Sequence, residues 1–260
     1  MDTTLRNNRT ITISIVCLIG FLLIDLLRGN LSQINNEVNS WAATNQMIDF
    51  TLVAKLVAVG FDTAPPLALS LLIGTVLFQM KMRKNALVLV GAMAGNAVIL
   101  EVLKTFIYSP RPLNELVLET GNSFPSGHVT STVVLFGLLA FFTWQIWKST
   151  SFKAISSALV AALALLVGFT RIYLNVHWLT DVIGGYFLGV FWLTFCIAIT
   201  PYIVKIYSEK LNPLESSFLQ LLYRTNLIVI IATVKESELK KPKRNKSRKY
   251  HNEEAGLPWK

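Results

Sequence analysis

Three short blocks of this 260-residue chain hold side chains that together can move a phosphoryl group. The first is Lys104 with Arg111-Pro112, the second Pro125-Ser126-Gly127-His128, and the third Arg171 with His177 and Asp181. Fixed cations neutralise phosphate oxygens, one imidazole can attack phosphorus, and a second can protonate the departing oxygen. Asp181 follows His177 by four positions, so on a helix the two share one face. A carboxylate on one ring nitrogen fixes the tautomer and leaves the other nitrogen free to attack. Ser126, Gly127 and His128 stand where a loop enters an apolar run, where helix amides are unpaired and glycine lets an anion approach closely.

Each block alone has a plainer explanation. Glu101 and Lys104 are spaced i, i+3, which permits a local ion pair on a helix face. Ser126 reads equally well as an ordinary N-cap, and His177 with Asp181 as a surface pair at a helix start. The sequence shows no metal-ligand cluster, and no cofactor is expected.

The elements that must position these blocks are membrane helices. The chain is 53% hydrophobic and only 15% charged, against roughly 25% charged for a soluble domain. Its formal charge of +9 does not point to nucleic acid, because the cations sit between apolar runs and near the C-terminus. Six runs have the length a hydrocarbon core of ~30 Å demands: 11–27, 65–80, 86–106, 128–147, 154–169 and 179–204. The first has no small-residue cleavage site behind it and reads as a retained anchor. The mixed stretch 31–61, with Asp49 and Lys55, suits an interfacial helix between spans 1 and 2.

The expected organisation is a six-span membrane domain over 1–206, an interfacial amphipathic segment within 207–234, and a basic, disordered tail over 235–260. Seven lysines and arginines lie between 240 and 249; beside the solvated reading stands attraction to anionic lipid, worth ~1 kcal/mol per basic residue near the surface. Cys17 and Cys196 lie inside apolar runs and read as small buried residues.

Orientation follows from the short loops. Arg6 and Arg9, then Lys81, Arg83 and Lys84, then Lys148 and Lys153, and finally the tail all fall on one side. By the positive-inside rule that side is cytoplasmic, with both termini, and all three blocks face outward. Gly185 and Gly189 mark close helix packing, within the chain or between subunits; the oligomeric state is not readable.

Taken together, the blocks resemble the type 2 phosphatidic acid phosphatase family, the lipid phosphate phosphatases. The family pattern is Lys-x6-Arg-Pro, Pro-Ser-Gly-His and Ser-Arg-x5-His-x3-Asp; the only departure is Thr170 in place of Ser. The resemblance implies an all-α, six-span bundle and a metal-independent phosphatase working through a phosphohistidine. It makes His177 the nucleophile, Asp181 its orienting partner and His128 the general acid. Lys104, Arg111, Ser126, Gly127, Thr170 and Arg171 would hold the phosphate. The implied partner is a lipid phosphate in the bilayer: polyprenyl diphosphate first, then phosphatidic acid or phosphatidylglycerol phosphate. The pattern also resembles vanadate-dependent haloperoxidases, which are soluble. A membrane scaffold with a silent site is the other alternative.

Overall fold

The computed structural model describes residues 3–147 and 149–206, and all regular structure among them is helical. The order is α1 Thr3–Leu27, α2 Ser32–Thr44, α3 Ile48–Gly60, α4 Ala64–Gln79, α5 Arg83–Phe106, α6 Gly127–Ile146, α7 Thr150–Tyr173 and α8 Leu179–Ile206. Five helices are long and apolar enough to cross a membrane; α3 and α4, bent by 54° at their junction, make a sixth if the pair is one broken span. The expected second span corresponds to α4, whose 16 residues extend about 24 Å at 1.5 Å per residue, short of a ~30 Å core. Two prolines in its first turn prevent it from running back smoothly into α3, since proline lacks the amide donor and clashes with the preceding turn.

The stretch expected to form a single interfacial helix is two. Asn45 ends α2: its backbone amide and its side-chain amide both donate to the Trp41 carbonyl, at 3.1 and 2.8 Å. After this polar corner α3 begins, with Asp49 in its first turn, where a negative charge suits the helix N-terminus. Both helices lie over one end of the bundle. Ala54 and Ala58 of α3 pack on Tyr173, Leu174 and Val176, and the Tyr173 hydroxyl accepts from the Met47 amide at 2.6 Å.

At the centre stands α6. Every residue from 123 to 135 is buried, and Val134, Leu135 and Leu138 pack with Leu89 and Met93 of α5. The paired glycines of α8 explain how closely that helix approaches. A Cβ on Gly185 would lie 2.9 Å from the Ser126 carbonyl oxygen, and one on Gly189 2.9 Å from the Val133 Cβ. Thr130 Oγ1 also lies 3.2 Å from the Gly185 carbonyl, to which it donates. The glycine pair therefore packs α8 against α6 within one chain. The segments 207–234 and 235–260 lie outside the described residues.

Candidate active site

Alternating helix directions bring the end of α5, the start of α6, the end of α7 and the start of α8 to one end of the bundle. All three sequence blocks meet there. The connection between α5 and α6 has no regular structure, yet its ends are tied by polar side chains. Asn122 donates to the Lys104 carbonyl at 2.7 Å and accepts from the Ser109 amide at 3.0 Å. Trp178 Nε1 donates to the Pro110 carbonyl at 2.8 Å. Arg111 reaches three carbonyls, Val176 at 2.9 Å and Thr120 and Gly121 both at 3.2 Å. One guanidinium thus joins the loop before α6 to the loop before α8.

His177 is 1% exposed, and its Nδ1 lies 3.4 Å from Asp181 Oδ2. The same carboxylate oxygen accepts from the Trp178 amide at 2.8 Å, while the Asp181 carbonyl accepts from the Ser126 amide at 3.0 Å. The second and third blocks are therefore stitched through one aspartate. Burial, followed by the positive fields of Arg171, Arg111, Lys104 and His128, holds the His177 pKa well below the ordinary imidazole range. The ring is neutral at pH 7, and its Nε2 is buried without a hydrogen-bond partner. A neutral ring braced on one nitrogen and bare on the other can act as a nucleophile.

His128 occupies the first turn of α6, and its Nε2 lies 3.0 Å from the Ala58 carbonyl. A carbonyl only accepts, so this nitrogen carries the proton. Asp62 Oδ1 lies 3.9 Å away. The last turn of α3 and the break that follows it thus supply the two groups beside this ring, which no sequence motif announced.

Arg171 is completely buried, and its Nε and Nη1 have no hydrogen-bond partner. Ser126 holds the N-cap position of α6 without using its hydroxyl as a cap; that oxygen too is buried and unpartnered. Buried polar atoms are ordinarily paired, so a cluster of orphans marks a place shaped for something else. Both unpaired arginine nitrogens are donors, and the serine hydroxyl can donate too, so these groups suit an anion. One negative group is already present: Glu119 pairs with Arg171 Nη2 and, at 3.1 Å, with Arg111 Nη1.

One contact that the resemblance implies, from Thr170, and one that spacing merely permits, between Glu101 and Lys104, are not made. Thr170 Oγ1 donates to the Val167 carbonyl of its own helix at 2.7 Å, so its one proton is engaged away from the cradle. No ion pair joins Glu101 to Lys104; the Lys104 charge is instead among those felt at His177. Two buttresses went unread in the sequence. Asn35 of α2 donates to Thr180 Oγ1 at 3.0 Å and accepts from the Thr180 amide at 3.2 Å. Asn39, one turn on, donates to Asn175 Oδ1 at 3.0 Å. They brace the segment carrying His177 from both sides.

The fold also assembles a potential metal-ligand group that the sequence did not show. One donor atom each from Glu119, His128 and His177 lies within 4.8 Å of the others. Zinc would require ligands at about 2.0–2.2 Å, so the group would have to contract around it. It would also have to form beside two guanidinium charges already paired with the glutamate. The electrostatics suit a phosphate better than a cation.

Residues 85–205 match the PAP2 superfamily. Phosphatidylglycerophosphatase B of Bacillus subtilis (strain 168) is 32% identical over 148 residues, covering 56% of this chain and 69% of that protein. The chain belongs to the PAP2 superfamily. A putative undecaprenyl-diphosphatase, YbjG, of Escherichia coli (strain K12) is 37% identical over 70 residues, 26% of this chain and 30% of that protein. The crystal structure of a transmembrane PAP2-type phosphatidylglycerolphosphate phosphatase from Bacillus subtilis superposes with a TM-score of 0.68. That comparison covers 73% of this chain and 96% of the other at 23% identity, and it shows the fold. This PAP2 protein is an integral membrane lipid phosphatase, a hydrolase of phosphoric esters.

Proposed function

We propose that this PAP2 protein hydrolyses a lipid phosphate at the extracytoplasmic membrane face in two displacements through a phosphohistidine. The observation that carries the reading is the bare, neutral Nε2 of His177 beside unpartnered donors of Arg171 and Ser126. In the first step His177 Nε2 attacks phosphorus, the bond to the leaving oxygen breaks, and His128, entering the step as the imidazolium, gives its second proton to that oxygen and is left neutral. In the second, His128 takes a proton from water, the water oxygen attacks phosphorus, and the P–N bond breaks to release inorganic phosphate. Asp181 keeps the His177 ring oriented throughout. Lys104, Arg111, Arg171, Ser126 and the Gly127 amide hold the oxygens; Thr170 joins them by exchanging its Val167 bond for one to phosphate. Phosphoryl transfer depends mainly on positioning and charge neutralisation, which three fixed cations supply.

The outward placement rests on the loop cations, which lie at the opposite end of the bundle from the site. A lipid can then keep its tail in the bilayer while its phosphate enters the cradle. Polyprenyl diphosphate is the substrate proposed, in line with the name of the Escherichia coli relative. Phosphatidylglycerol phosphate is the second reading, favoured by the relative aligned over 69% of its own length.

Phosphate release from the two lipids, from phosphatidic acid and from a soluble sugar phosphate, measured on purified protein, ranks these substrates. His177→Ala is expected to lose about 10⁴-fold or more in kcat and all acid-labile phosphoenzyme. His128→Ala should still form that species from a diphosphate, whose leaving group needs less protonation. Turnover by His177→Ala at the normal rate would sink the mechanism.

A further inference from the structure

Glu119 belongs to none of the three sequence blocks, yet its carboxylate sits in their midst. It bridges Arg111 and Arg171, and an oxygen of it lies within 4.8 Å of ring nitrogens of both His128 and His177. Those four residues are the ones a bound phosphate would touch. Its side chain is 19% exposed, on a segment without helical structure, so it has somewhere to go when another anion arrives.

We propose that Glu119 is a resident anion of the empty cradle, which a phosphate must displace before it can bind. The inference rests on the reading of Arg111 and Arg171 as phosphate ligands. Arg171 is wholly buried, and a buried guanidinium without a counter-charge is strongly destabilising. Glu119 supplies the counter-charge while the site is empty. It is a poorer partner than phosphate, because it leaves Arg171 Nε and Nη1 and Ser126 Oγ unsatisfied. A phosphate, with more oxygens and more charge, can reach those donors as well.

This exchange weakens the binding of every anion. The apparent affinity of any ligand falls by the fraction of molecules whose site is open to it. A lipid phosphate is held at the membrane by its tail and arrives at high local concentration, so it can overcome the competition. Inorganic phosphate has no such hold. Glu119 thus raises the concentration that every anion needs by the same factor, a threshold that a tethered substrate passes and free phosphate, the product included, does not.

The test compares wild type, Glu119→Gln and Glu119→Asp in detergent, with inorganic phosphate and orthovanadate as inhibitors of lipid phosphate hydrolysis. Glu119→Gln keeps the shape and removes the charge; its inhibition constants are expected to fall about tenfold, as for a site otherwise open about a tenth of the time. Glu119→Asp retains a charge and should stay nearer wild type. Thermal shift by inorganic phosphate supplies a readout independent of turnover, with the larger stabilisation expected in Glu119→Gln. Unchanged inhibition constants and thermal shifts in Glu119→Gln would overturn the proposal, and so would weaker inhibition, which would make Glu119 a builder of the site. Arg171→Ala separates the two readings. If it leaves phosphate inhibition of the wild-type background untouched, the cradle assignment fails whatever Glu119 does.

Discussion

The two ends of α7 share one continuous helix, but they do opposite work. From residue 150 to 163 no side chain is buried, and Ile155 and Leu159 stand 61% and 66% exposed. From 170 to 177, through the helix end and into the next loop, every residue is buried, including a charged arginine. In water the apolar half would be the interior. In a bilayer the apolar half faces solvent and the polar half is enclosed by protein, because a charge is tolerated there only against partners. Exposure and polarity are therefore inverted along a single helix.

The largest test of that contrast is Arg171→Ala, which empties the enclosed end of its charge. By comparison with the loss of an oxyanion donor, kcat/KM for the lipid substrate is expected to fall about 10²–10³-fold. A loss under tenfold would mean that Arg171 serves only the fold. Next comes a pair of small changes on either half. A Cβ on Gly168 would run into the Tyr186 hydroxyl and lie 2.8 Å from Val182 Cγ1. Gly168→Ala should cost ~1–3 kcal/mol by overpacking, with the Tyr186 bond to the Ala164 carbonyl disturbed. Leu159→Ala, on the lipid side, should stay within about 0.5 kcal/mol. Chemical unfolding in detergent measures both, and equal effects would erase the distinction between the halves.

At neutral pH the effect on pH dependence is nil, and it emerges only on the acid side. His177 has its pKa lowered in the folded chain, so it stays neutral where an unfolded histidine, near ~6.5, takes up a proton. Below about pH 6.5 the unfolded state binds more protons, and stability falls by up to ~1.4 kcal/mol per pH unit for this group, down to its folded pKa. Above about pH 6.5 its contribution is flat. His177→Gln should remove this acid-side slope without tilting the curve at neutral pH; an unchanged slope would assign it to other groups.

The membrane class, the helices and the meeting of the three blocks were legible because hydropathy marks spans and alternating spans fix which loops share an end. What escaped was whatever lacked a period or a motif. Asn35, Asn39 and Ala42 form the buried stripe of α2, but a search for helical faces looks for apolar stripes, and this one is largely amide. Glu119 lies in an irregular connection where spacing predicts no contact, and attention to cations passes over the anion that pairs with them. Asp62 and Ala58 reach His128 only because α3 breaks into α4, a bend that hydropathy averages away. Ser126 has the type and position of a helix cap, yet its hydroxyl is left bare.

The amide stripe has a consequence of its own for how the enzyme responds to its medium. The Asn35–Thr180 and Asn39–Asn175 bonds carry no net charge, whereas the arginines and Glu119 meet as ions. Dissolved salt weakens attraction between accessible charges and leaves neutral hydrogen bonds nearly untouched. The arginine pairs are enclosed, Arg171 wholly and Glu119 at 19% exposure, so salt screens them little, and both the mount of the nucleophile and the charge pairing of the cradle hold as ionic strength rises.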